Sequence, residues 1–200
     1  MTCILVVCTG NVCRSPIAEG LLRDTLRARL GEEAPSVSSA GTAGWDGSAA
    51  MPGSVAAAAE RGVDISGHAA RRLLPEHIGA ADLVIAMSDE HRTAVMREVP
   101  EASGRTFTLK ELVRLLEALP AADPLGDAQD TLSDRVRRAD MLRLEGFTGN
   151  PLDDDIVDPL GLPLESYRAV AWELGEWCGR LVDGLFGMDQ ASSAPGVQGA

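Results

Sequence analysis

Two hundred residues, 45% of them hydrophobic, suffice for one buried core and fit one domain, or one domain carrying an insertion. A formal net charge of −12 excludes DNA or RNA binding through a general basic field, so an anionic ligand must be drawn by local groups. No apolar run approaches a membrane span, the four cysteines are too few for a secreted disulfide framework, and three histidines without a CxxC pair argue against a zinc site.

Residues 3–7, Cys3-Ile4-Leu5-Val6-Val7, are short, apolar and partly β-branched, as a buried central strand should be. The run is too short, and lacks the basic start, for a signal peptide, so the expected address is the cytoplasm. It feeds Cys8-Thr9-Gly10-Asn11-Val12-Cys13-Arg14-Ser15-Pro16, and Pro16 suits a first helical turn. Ile17, Leu21, Leu22, Leu26 and Leu30 then mark one face of a helix that Gly31 ends. Residues 37–40 read as a second strand, and 41–48 as a glycine-rich loop holding Trp45. Pro52 opens a helix through the alanine run to Gly62, and residues 82–87 form the next strand. Ser88 is a good N-cap for a helix reaching about residue 99, with Asp89 and Glu90 in its first turn. A brief strand at 105–108 and a helix at 109–119 follow.

Residues 120–150 break this rhythm and read as an insertion, with a helix capped by Ser133 and ended by Gly146. Asp153, Asp154 and Asp155 read as a solvated charge run ahead of Ile156-Val157-Asp158-Pro159. Leu164, Tyr167, Ala171, Leu174, Cys178, Leu181 and Leu185 alternate steps of three and four, one apolar stripe of a final helix, which makes Cys178 a core residue. The domain therefore spans 1–187, and the small, polar residues 188–200 are expected to be a disordered tail. Strands alternating with helices predict an α/β fold, a four-stranded parallel sheet with helices on both faces. Ligands of such sheets bind beyond the carboxyl ends of the strands, where the Cys8 loop lies.

A strand, a small-residue loop and a helix start make an anion cradle, because loop amides and the helix dipole converge there. Here the cradle also holds a thiol, Cys8, and a guanidinium, Arg14. A thiolate attacks where a thiol does so poorly, and amides, a helix N-terminus and an arginine all favour the thiolate. Arg14 offers a planar fork for two phosphate oxygens, and Ser15 can donate to the sulfur and ease its departure. Gly10 lets the backbone curl, and Asn11 tolerates a left-handed conformation. In-line transfer of phosphate to Cys8, then hydrolysis by water, needs a general acid for the leaving group. Asp-Pro-Leu-Gly occurs twice, at 123–126 and 158–161. Asp158 is preferred to Asp123 because it follows an apolar pair and precedes the amphipathic final helix. Cys13 reads either as a small buried residue or as a partner that forms a disulfide with oxidised Cys8. No metal or organic cofactor is expected.

The loop resembles the signature of the low-molecular-weight protein tyrosine phosphatases. The likeness extends to Ser38-Ser39-Ala40-Gly41-Thr42, to Ser66-Gly67-His68-Ala69-Ala70-Arg71, to residues 81–87 and to Asp158-Pro159. It implies a phosphate-binding loop after the first strand, with Cys8 as nucleophile, Arg14 as clamp and Asp158 as acid. Thr9, Gly10, Asn11, Val12, Cys13 and Ser15 would complete the substrate-binding loop. Asn11, Ser39 and His68 would hold the loop's shape by hydrogen bonds, and Trp45 would wall the substrate crevice. The implied substrate is a phosphorylated protein, with phosphotyrosine the first choice and inorganic phosphate the product; neither nucleic acid nor membrane is an expected partner. Tyrosine-directed members carry an aromatic residue after Asp-Pro, where this chain has Leu160. Residues 106–111 and 161–167 are similar to bacterial members that include protein arginine phosphatases, whereas Val12 is closer to the Ile of tyrosine-directed ones. A thiol-dependent arsenate reductase is a further alternative: the family's arsenate reductase relatives use further downstream cysteines, and with only Cys178 here that reading needs an external thiol. A phosphate-binding module without catalysis is disfavoured because nucleophile, clamp, serine and acid are all present.

Overall fold

The computed structural model describes residues 2–120, 131–147 and 154–187. The strands are β1 (Cys3–Cys8), β2 (Ser36–Gly41), β3 (Leu83–Ala86) and β4 (Thr106–Thr108). The helices are α1 (Arg14–Leu30), α2 (Pro52–Ala59), α3 (Pro75–Gly79), α4 (Asp89–Glu98), α5 (Leu109–Ala118), α6 (Leu132–Leu144) and α7 (Leu164–Phe186). The strands form one parallel sheet in the order β2-β1-β3-β4, as expected from the alternation.

β1 is central and its side chains are buried alternately on the two faces. Ile4, Val6 and Cys8 join Leu83 and Ile85 in a core with α1, α5, α6 and α7. Leu5 and Val7 join Val84 in a smaller core with Ile78 of α3 and Val95 of α4. A parallel strand covered on both sides must be apolar throughout, hence the unbroken run that led into the loop.

Local chemistry sets the helix starts. The Ser88 hydroxyl accepts from the His91 amide, as its identity predicted. Thr108 and Glu111 cap α5 reciprocally. The helix expected after residue 133 begins two residues earlier and is capped by Thr131, which forms a box with Asp134. Ser133 lies inside it. Its Val136 and Ala139 are buried in the main core, so this part of 120–150 packs against the domain. The remainder of 120–150 and the expected tail lie outside the described residues. The buried stripe of α7 runs Tyr167, Val170, Ala171, Leu174, Cys178, Leu181, Val182 and Leu185. Cys178 is 1% exposed, and burial pushes its thiol up to about 12, which fits a core residue.

Candidate active site

β1 ends at Cys8 and α1 begins at Arg14, so residues 9–13 form a loop between the carboxyl end of the central strand and a 17-residue helix. Every carbonyl of the loop from Cys8 to Val12 accepts a hydrogen bond from outside it. The donors are the amides of Thr42 (2.9 Å), Ala43 (3.0 Å), Trp45 (3.3 Å) and Met51 (2.8 Å), onto Cys8, Thr9, Gly10 and Val12 respectively. The Asn11 carbonyl accepts from His68 Nε2 at 2.7 Å, which places the proton of His68 on that nitrogen. In trans peptides N–H and C=O point opposite ways, so outward carbonyls turn the loop amides inward. Gly41 permits this closeness: a Cβ there would stand 2.4 Å from the Thr9 carbonyl oxygen.

Asn11 is the loop's inner brace. Its φ of 58° is left-handed, and its side chain is fully buried. The amide donates to Ser15 Oγ (2.9 Å) and Ser39 Oγ (2.7 Å), and the oxygen accepts from the Arg71 amide (2.9 Å). The Ser39 hydroxyl in turn donates a hydrogen bond to Glu19 Oε2 at 2.5 Å. Because Ser15 Oγ accepts from Asn11, its proton is free for Cys8 Sγ, 2.9 Å away.

The guanidinium of Arg14 is buried beside the thiol. Nη1 donates to the Ile156 carbonyl (3.1 Å), and Nη2 to Thr9 Oγ1 (3.3 Å) and Asp158 Oδ2 (2.6 Å). Its Nε is buried with no hydrogen-bond partner among the described residues. The Asp158 carboxylate is 40% exposed, and its other oxygen accepts from the Leu160 amide at 3.1 Å. Cys8, Thr9, Gly10, Val12, Cys13 and Arg14 line a crevice of about 60 Å³ with Trp45, Asp158 and Leu160. A larger groove of about 510 Å³ beside Arg29, Arg61 and Asp183 is lined by no cysteine among the described residues. The chemistry therefore marks the smaller space.

Residues 3–142 match the profile of the low molecular weight phosphotyrosine protein phosphatases. The chain belongs to that family. A protein-arginine-phosphatase of Geobacillus stearothermophilus is 33% identical over 182 residues, 91% of this chain and 95% of that one. The low molecular weight protein-tyrosine-phosphatase Etp of Escherichia coli K12 is 40% identical over 127 residues, 64% of this chain and 80% of its own. The crystal structure of a low molecular weight protein tyrosine phosphatase from T. tengcongensis superposes with a TM-score of 0.69 at 32% identity, covering 92% of this chain and all of that one. The chain is thus a cysteine-dependent phosphatase, a hydrolase with the family's parallel-sheet fold.

Within this phosphatase the sequence-derived residues fall into two shells. Cys8, Thr9, Gly10, Val12, Cys13, Arg14, Trp45 and Asp158 line the crevice. Asn11, Ser15 and Ser39, all buried, and His68 brace it from behind, so Asn11 and Ser15, expected among the substrate-binding residues, do not line it. Burial pushes the Cys13 thiol up to about 11, and the charges of Asp158 and Cys8 add to the rise.

One reading of the acidic run is corrected. Asp154 is ion-paired with Arg114 of α5 and only 14% exposed. Asp155 accepts from the Asp89 amide at 2.9 Å, and its carbonyl accepts from Lys110 Nζ at 3.2 Å. With the Ile156 amide on the Met87 carbonyl (2.8 Å), these contacts tie the segment before Asp158 to β3, α4 and α5. Asp123 and Asp153 lie outside the described residues. Sequence reasoning also missed His91, whose ring is buried and bonded to Thr9 at 2.9 Å. The available signal was its place in the first turn of a helix capped at the carboxyl end of β3.

Proposed function

We propose that the phosphatase dephosphorylates protein side chains through a phosphocysteine on Cys8, with Arg14 as clamp and Asp158 as acid and then base. Cys8 Sγ attacks phosphorus in line, and the bond from phosphorus to the leaving atom breaks. Asp158 gives its proton to that atom. Water then attacks the phosphocysteine, its proton passes to the Asp158 carboxylate, and the sulfur leaves with help from the Ser15 hydroxyl. The inward amides and the Arg14 guanidinium meet the charge that grows on the equatorial oxygens. The observation that carries this reading is the buried, unpartnered Nε of Arg14 beside Cys8. A bound oxyanion satisfies it, and when that anion takes Nη2 as well it frees Asp158 to act. Four free thiols suit a reducing compartment, consistent with the cytoplasm.

Phosphotyrosine is the first choice of substrate, because the exposed Trp45 indole supplies an aromatic wall. Phosphoarginine is the second reading. Leu160 stands where a second aromatic wall would be, and a relative of nearly equal length is named as an arginine phosphatase. Turnover of phosphotyrosine and phosphoarginine peptides, compared under the same conditions, decides between them. Cys8→Ser is expected to abolish both while retaining phosphate binding; full turnover by that variant would exclude the mechanism.

A further inference from the structure

His91 is a buried titratable group that the mechanism above does not use. Its residue is 2% exposed, and both ring nitrogens are engaged: Nδ1 with Ser88 Oγ at 2.6 Å and Nε2 with Thr9 Oγ1 at 2.9 Å. Ser88 alone suffices to cap α4 through the His91 amide. The second bond is a different matter, since it crosses from α4 to the phosphate loop. It reaches the hydroxyl that also accepts from Arg14 Nη2.

That hydroxyl matters when the site fills. Nη2 is shared between Asp158 and Thr9 in the empty site, and Asp158 must be released to protonate the leaving group. Thr9 and the Ile156 carbonyl are then the protein contacts left to hold the guanidinium plane. A threonine hydroxyl carries one proton and two lone pairs, and its rotation is set by its other partner. With the proton on Nε2, His91 occupies one lone pair of Thr9 and leaves the other for Arg14. With the proton on Nδ1, Thr9 donates to Nε2 and again turns a lone pair to Arg14. The second arrangement needs a neutral ring, since a protonated ring donates from both nitrogens. Burial first, then the Arg14 charge, hold His91 down to about 4 against the opposing carboxylates of Asp158 and Asp155, so the ring is neutral at working pH.

We propose that His91 is a positioning residue for the phosphate clamp, orienting Arg14 through the hydroxyl of Thr9. This rests on the reading of residues 8–15 as the phosphate site. The test is a double-mutant cycle read by the competitive inhibition constant of inorganic phosphate, with kcat/KM for aryl phosphates alongside. Thr9→Val and His91→Ala are each expected to weaken phosphate about five- to tenfold, the worth of one net hydrogen bond. The double variant should be no weaker than the worse single one. His91→Gln, whose amide nitrogen reaches toward the place of Nε2, should bind within about twofold of the wild type. The loss in kcat/KM should be the same for good and poor leaving groups, because the clamp and not the acid is disturbed. Effects that multiply in the double variant, or phosphate binding unchanged in His91→Ala, would overturn the role of His91. Should His91→Ala fail to fold, Thr9→Val carries the test: unchanged phosphate binding, or an unmoved 15N shift at Nε2 of His91, overturns it equally. Wild-type protein that does not bind phosphate would instead overturn the site reading itself.

Discussion

At the residue scale, the same carboxylate, Asp158, is both an ion-pair partner of Arg14 and the proposed proton donor. These roles exclude each other in time, which couples the acid to the arrival of the anion. Replacing Asp158 by Ala is expected to slow substrates with poor leaving groups by about a hundredfold or more, the contribution of a positioned acid, and to spare aryl groups that leave unaided. A plot of log kcat against leaving-group pKa measures this; a uniform drop would place the acid elsewhere. Cys13 shares the crevice with Cys8, yet burial keeps it a thiol. Peroxide should therefore produce a Cys8–Cys13 disulfide, by attack of the Cys13 sulfur on the Cys8 sulfenic acid with loss of water. Closure should quicken about tenfold per pH unit between pH 7 and 9, as the thiolate fraction rises. Mass mapping and thiol-dependent recovery follow it, and Cys13→Ser should lose the recovery.

At the element scale, the loop is shaped by what surrounds it. The segment after β2 supplies three of the five donors that turn its carbonyls outward, the start of α2 a fourth, and His68 the last. The contact is closest at Gly41, paired with Cys8 in the sheet. A methyl group there meets the Thr9 carbonyl oxygen and the Asn11 amide, both backbone atoms that cannot swing away. Gly41→Ala is expected to cost about 1–3 kcal/mol in the urea midpoint, as overpacking does. It should lower kcat by more than tenfold while the sheet survives, since the displaced groups are those that cradle phosphate. Stability falling with unchanged kcat would show that the loop tolerates the shift. The acid is held on the same principle from the other side, by Arg114, Lys110 and the Asp89 amide.

At the scale of the whole molecule, clamp and acid come from opposite ends of the chain, Arg14 and Asp158 standing 144 positions apart, and the fold brings them together. The buried His91 makes this assembly sensitive to acid. Its folded state releases the proton at about 4 and its unfolded state near the ordinary 6.5, so the fold binds fewer protons between the two. Stability from this group is complete above pH 6.5 and declines as pH falls toward 4, by about 3 kcal/mol at most. Urea titrations of the wild type and His91→Gln across that range check it; the difference between their curves should carry the slope, and parallel curves would show that His91 is not its source. The residues that announce chemistry were legible because they are local: Cys8 to Ser15 lie in one loop, and strand and helix periods on either side are short-range properties of the chain. The alternation of those periods also determined the parallel sheet and the end of it where the site lies. Only the tertiary structure decided which groups the loop meets. His91 opposite Thr9 and Arg114 on Asp154 depend on packing between distant elements. Side-chain direction across such contacts follows from the assembled core, which no local pattern encodes.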